Sequence, residues 1–136
     1  IWRELIAPNI EATVAYVKRR GAYASLHSDG NITALLDGIR DLGFDVVHPY
    51  QESAAMDYAL YLRDYVDAFT IMGGMDVQTT VGFGDIEYAR GEIGRVVQTL
   101  GERGFILCTT HFVQDHCSIE ELAAVFDYAY DAVRRV

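Results

Sequence analysis

Cysteine, proline, tryptophan and basic side chains are all scarce in this sequence. Its 136 residues hold two cysteines, two prolines, one tryptophan and eleven lysines plus arginines. Cys108 and Cys117 form no CxxC pair. Two cysteines in a chain of this length predict free thiols or ligands in a reducing compartment, and nothing requires a disulfide between them. Twenty acidic residues outweigh the basic ones and give a formal charge of −9, which repels phosphate backbones. The basic clusters are only Lys18-Arg19-Arg20 and Arg134-Arg135, so nucleic acid is excluded as a partner. No apolar run is long enough to cross a bilayer, and no basic-then-apolar leader precedes the first helical pattern. A cytoplasmic protein with no membrane partner is the expectation. No GxGxxG or GxxxxGK[ST] follows any apolar run, which removes the best argument for a nucleotide-binding open sheet. Gly82-Phe83-Gly84-Asp85 reads as a loop turn.

Hydrophobic residues, by contrast, make up 51% of the chain, enough for the core of one ordinary domain. Pro8 suits the first turn of a helix whose apolar face is Ile10, Val14 and Val17, with its stop at Arg19-Arg20-Gly21. Ala22 to His27 is a short strand, and Ile32, Leu35, Leu36 and Ile39 mark a second helix closing at Leu42-Gly43. Phe44 to Pro49 is a second strand, ended by the missing donor of Pro49. Ser53 is the predicted cap of a helix carrying Ala55, Met56, Ala59, Leu60 and Val66, and Ala68 to Met72 is a third strand stopped by Gly73-Gly74. A fourth helix carries Ile93, Val96, Val97 and Leu100, and Phe105 to Thr109 is the fourth strand. Ser118 with Glu121 makes a capping box for a last helix with the stripe Ile119, Leu122, Phe126, Ala129, Val133 and Val136.

A helix followed by four strand-helix units, without an Asn-Gly hairpin signal, predicts parallel strands covered on both faces. That is α/β: an open doubly wound sheet or part of an eight-unit barrel. The polar candidates all fall at the C-terminal ends of the strands: His27 and Asp29, His48 and Glu52, Met75-Asp76 after Gly73-Gly74, and Thr109, Thr110 and His111. In a barrel these ends meet at one mouth. Four units are half a barrel, and its two open edges call for a missing N-terminal half or a homo-oligomeric partner. Residues 1–136 therefore read as a single partial domain, a piece of something longer, in keeping with a start at Ile1.

His27-Ser28-Asp29-Gly30-Asn31 is the most informative stretch. Alternate residues of an extended segment face the same way, so His27 and Asp29 point to one side as the strand ends; Gly30 turns the chain and Asn31 is the predicted cap of the next helix. An imidazole beside a carboxylate suits a metal or proton-transfer site, or equally a histidine satisfied by a neighbouring acid.

Taken in order, His27-x-Asp29-Gly30-Asn31, "LGFDVVHP", "IMGGMD" at Ile71 to Asp76 and "GFILCTTH" at Gly104 to His111 resemble the C-terminal half of the uroporphyrinogen decarboxylase superfamily, which includes corrinoid-dependent methyltransferases. The resemblance covers nearly the whole chain and implies four units of a (β/α)8 TIM barrel with the reacting group at the mouth. Methyltransferase members look like His-x-Cys-Gly at the first of these strand ends, where His and Cys hold zinc with a more distal Cys. Here His27 matches the histidine and Asp29 replaces the cysteine, which implies a harder zinc site of His27 and Asp29, completed by His111 or Cys108. Decarboxylase members resemble the other end, where a glycine-histidine pair follows the last strand; His111 falls at that histidine and Thr110 replaces the glycine.

Three functions follow from the resemblance. Metal-assisted methyl transfer between a corrinoid and a thiol is favoured by His-x-Asp-Gly-Asn, with zinc and a corrinoid, free or on a corrinoid protein, as the implied cofactor and partner. Porphyrinogen decarboxylation in tetrapyrrole biosynthesis needs arginines for the substrate carboxylates, and no arginine sits at a strand end here. A non-catalytic corrinoid or tetrapyrrole carrier is the third. On these readings His111 and Asp76 are the catalytic candidates, and His48, Glu52, Gly73, Met75 and Thr110 the substrate- or cofactor-binding ones. Cys117 and Cys108 read more simply as packing residues, Met72 and Met75 as gap fillers, His116 as a solvated loop residue, and the nine tyrosines as helix-face packing.

Overall fold

The computed structural model describes residues 1–135. Its regular elements are α1 (Ala7–Arg19), β1 (Ser25–His27), α2 (Leu36–Leu42), β2 (Val46–His48), α3 (Tyr58–Asp64), β3 (Thr70–Met75), α4 (Ile86–Leu100), β4 (Phe105–Thr109) and α5 (Ile119–Val133). The strands form one sheet in the order β1-β2-β3-β4, every pairing parallel. Four parallel strands alternating with helices are half of a (β/α)8 barrel. None of the described helices is long and apolar enough to cross a membrane.

Local chemistry accounts for most boundaries. Pro8 lies in the first turn of α1, where no backbone donor is needed. Gly43 closes α2 in the left-handed region at φ +80°. Asn31 caps less directly than its position suggests: its Oδ1 accepts from Thr33 N at 3.0 Å, but a 3-10 turn over Thr33–Leu35 intervenes before α2. Ser53 does not cap α3. It lies in a separate 3-10 turn, Glu52–Ala54, and the cap is Asp57, whose carboxylate accepts from the Ala59 and Leu60 amides. The third strand runs later than the glycine pair suggests, continuing through it to Met75. Gly74 permits this because its backbone is at φ +90° and an added Cβ would lie 2.8 Å from the Phe105 ring and 3.0 Å from Val96. Asp85, read as part of a loop turn, caps α4 through Tyr88 N.

Two apolar clusters hold the layers together. Val14, Leu36, Ile39, Val47, Tyr50, Tyr61 and Ile71 pack α1 to α3 against the sheet. In that cluster the Tyr61 hydroxyl is placed between two carbonyls, Gly104 O at 2.6 Å and Phe69 O at 3.0 Å, so its polar tip costs little to bury. Met75, Val81, Ala89, Ile93, Val97, Val125 and Ala129 join β3, α4 and α5 in the second. The last helix is thus rotated from its predicted stripe. It buries Glu121, Val125 and Ala129, whereas Ile119, Phe126 and Val133 are exposed; Val136 lies outside the described residues.

Candidate metal centre at the strand ends

His27 and His48 are the last residues of β1 and β2 and are direct partners in the parallel register. Side chains at paired positions point the same way, so both imidazoles project from the C-terminal end of the sheet. Their rings meet with Nδ1 to Nδ1 at 2.9 Å. The far nitrogen of His27, Nε2, faces Asp29 Oδ2 at 3.4 Å. His111, just beyond β4, completes the group: one donor atom from each of His27, Asp29 and His111 lies within 4.8 Å of the others.

That spacing is long for a strong hydrogen bond and suits a shared cation. Two donors each about 2.0–2.1 Å from a tetrahedral zinc stand about 3.4 Å apart. The His111 Nδ1 atom is buried without a hydrogen-bond partner, which leaves a ring nitrogen free to take a ligand. Two imidazole nitrogens and a carboxylate oxygen are a donor set that zinc accepts, and they suit iron(II) or manganese as well. The residues therefore fit a divalent metal.

Electrostatics favour the same ligand class. The loops following the four strands, residues 28–35, 49–57, 76–85 and 110–118, contain no lysine or arginine, while Asp29, Glu52, Asp57, Asp76, Asp85 and Asp115 all lie within them. A mouth with one sign of charge draws cations inward. The guanidinium that reaches this end, Arg95 of α4, is held between Glu52 and Glu92, whose hydrogen bonds keep it firmly charged.

Two adjoining cavities open at this end of the sheet, one of them on the centre itself. One, of about 470 Å³, is lined by Asp29, His111, Thr110, Gln51, Gln78 and Gln114. The adjoining one is bordered by Asp76, Glu52, Tyr58, Thr80 and Arg95, with Gln51 and Thr110 shared between the two. Gln51 and Thr80, which sequence reasoning passed over, are buried polar residues on these walls. Their only advance signal was position, a polar residue just past a strand end.

The remaining candidates divide. Asp76 lies at the mouth, with Oδ1 accepting from Gln78 N at 2.7 Å. Thr110 is buried and its Oγ1 accepts from Val77 N at 3.2 Å, stitching the β3–α4 loop to the end of β4. Glu52 is committed to Arg95. Gly73, at φ +147°, packs against the Tyr50 backbone inside β3. Met75 is a correction: its apolar side chain is fully buried in the second cluster, with Ile93 and Val97 of α4 and Val125 of α5, and it lines neither mouth cavity. His48 lines neither mouth cavity, its ring nitrogens being taken by His27 and by Thr109 O. Cys108 stands outside the metal group. Its Sγ–H points to Thr109 O, and burial pushes the thiol up to about 11.

Glu121 is the residue whose role was least visible. Its amide donates to the capping Ser118 Oγ at 3.0 Å, but its carboxylate does not return to Ser118. Instead Oε1 and Oε2 accept from Gly82 N at 2.7 Å and Gly84 N at 3.0 Å, tying the β3–α4 loop to the first turn of α5. His116 is exposed in its loop, as expected, with its ring 5.5 Å from that of Phe83.

Residues 1–132 match the family model for uroporphyrinogen decarboxylase (URO-D). The chain belongs to the uroporphyrinogen decarboxylase family. URO-D proteins are TIM barrels, so the four units seen here and the site at their C-terminal ends take their place in a URO-D barrel. No curated protein matches the chain significantly.

Proposed function

We propose that this URO-D family enzyme carries out metal-assisted methyl transfer between a corrinoid and a thiol. The observation that carries the reading is the convergence of His27, Asp29 and His111 on one point at the barrel mouth. These three side chains would hold zinc. The ion, when bound, supplies the positive charge that lowers the pKa of a substrate thiol near it.

The chain's own residues supply the remainder. Thr110, Gln51, Gln78 and Gln114 give the adjacent cavity uncharged hydrogen-bonding walls, which orient a substrate without competing with the metal for its sulfur. Asp76 keeps Oδ2 available at the neighbouring cavity to accept the proton that the thiol gives up. A porphyrinogen decarboxylase must instead neutralise several substrate carboxylates, and the four mouth loops offer no cation with which to do so. Arg95, which borders the adjoining cavity, is already paired with Glu52 and Glu92, and this shortage of free cations ranks methyl transfer above decarboxylation for this half of the mouth.

Elemental analysis of the purified full-length protein, beside its His27→Ala, Asp29→Ala and His111→Ala variants, is the test. One zinc per chain, lost in each variant while the fold is retained, is the expected result. Methylcobalamin and a simple thiol then serve as substrates: turnover that follows the zinc content supports the enzyme, and metal without turnover supports a carrier. A parent protein without metal would sink the proposal and direct the assay to porphyrinogen decarboxylation.

A further inference from the structure

A chain of three polar groups runs behind the proposed metal ligand. His48 Nε2 lies 3.2 Å from the carbonyl oxygen of Thr109, and His48 Nδ1 lies 2.9 Å from His27 Nδ1. A carbonyl oxygen can only accept, so His48 Nε2 carries a hydrogen and donates it. In a neutral imidazole the other nitrogen then has a bare lone pair, which makes His48 Nδ1 the acceptor and His27 Nδ1 the donor. One proton per neutral ring leaves His27 Nε2 bare as well. That is the nitrogen which faces Asp29 Oδ2 at 3.4 Å.

We infer that His48 is a positioning residue that fixes His27 as the Nδ1–H tautomer and so keeps His27 Nε2 open toward the metal. This rests on the metal reading above. It assigns to His48 a role other than substrate contact: His48 holds His27 by a hydrogen bond on the side away from the site, and the Thr109 main chain holds His48. Outer partners of this kind commonly change metal affinity by about 10–100-fold when removed. The parallel register makes the contact possible, since His27 and His48 are cross-strand partners at the rim of the sheet.

Two measurements on the full-length protein test it. In metal-free protein, well above the ordinary imidazole pKa, ring nitrogen NMR shifts should show His27 protonated on Nδ1, the minor tautomer of a free imidazole, and His48 protonated on Nε2. A His27 ring protonated on Nε2 overturns the inference whatever the protein does with metals. In the second, Zn²⁺ affinity is measured by competition with a chromophoric chelator. His48→Leu should weaken binding about 10–100-fold. His48→Gln, whose amide can accept from His27 and donate to Thr109, should recover most of the loss. Leucine binding Zn²⁺ as tightly as wild type, or glutamine as weakly as leucine, overturns it, the latter by showing that His48 matters only through its shape. Wild-type protein that binds no Zn²⁺ defeats the metal reading alone, because the tautomer measurement still decides the relay.

Discussion

Replacing Glu121 by alanine removes the acceptor for two glycine amides at once. The Gly82 amide is buried and can find no water in exchange, so its bond to Oε1 counts almost in full; the Gly84 amide is exposed and partly rehydrates. A hydrogen bond to a charged group contributes about 1.5–3 kcal/mol. One full bond and part of a second put the loss for Glu121→Ala at about 2–4 kcal/mol. Glu121→Gln keeps an oxygen for Gly82 but turns an amide nitrogen toward Gly84, and should lose about 1–2 kcal/mol. Ser118→Ala is the control, because it removes the helix cap without touching the loop and should cost about 1 kcal/mol. Urea unfolding of the three variants, with unchanged dependence on denaturant, gives the comparison. Glu121→Ala within about 0.5 kcal/mol of wild type, a surface-substitution value, would refute the idea that this carboxylate clamps the β3–α4 loop.

Two further outcomes follow from the titrating groups. Burial alone would raise the Asp45 carboxyl, but the Lys18 ammonium and the Ala24 amide more than offset it, so its pKa in the folded protein lies below the ordinary carboxylate value. The stability that Asp45 lends is therefore present above the unfolded pKa and is lost as pH falls through the folded one. Thermal unfolding of wild type and Asp45→Asn should differ near neutrality and converge as the pH drops below about 4; a constant gap would contradict the assignment. For Cys108, a thiol pushed up to about 11 should alkylate at pH 8 about 100-fold more slowly than an ordinary cysteine. Mass-spectrometric tracking of iodoacetamide labelling measures this, and labelling at the rate of a free thiol would show that the site is open.

Where a local rule sufficed, the fold was legible. Phe105 to Thr109 became β4 with its predicted bounds, because a β-branched and aromatic run between Gly104 and a polar loop has no competing reading. His27 and Asp29 came together as the alternation suggested, although β1 ends at His27 and Asp29 lies in the bend that follows. The miss on α5 has a different origin. Its apolar residues extend around more than one face, so a three-four stripe that rightly held Leu122 and Ala129 also took in the exposed Phe126 and Val133 and left out Val125, which is buried in the cluster with α4. Glu121 was misread for a related reason: a capping-box pattern describes the helix's own first turn and carries no information about two glycines 37 and 39 residues earlier. The His27–His48 contact likewise depended on register, which two short strands ending in histidine suggest but cannot specify.

The relay behind His27 ends on an oxygen of the main chain, that of Thr109. Every amino acid supplies that atom. Substitution at position 109 therefore leaves the acceptor in place as long as β4 keeps its path, and the threonine side chain is free to vary for other reasons. The tautomer of His27 is guarded by strand geometry at one end and by a single exchangeable side chain, His48, in the middle. A survey of replacements would thus find position 48 restrictive and position 109 permissive, although both belong to the same hydrogen-bonded line.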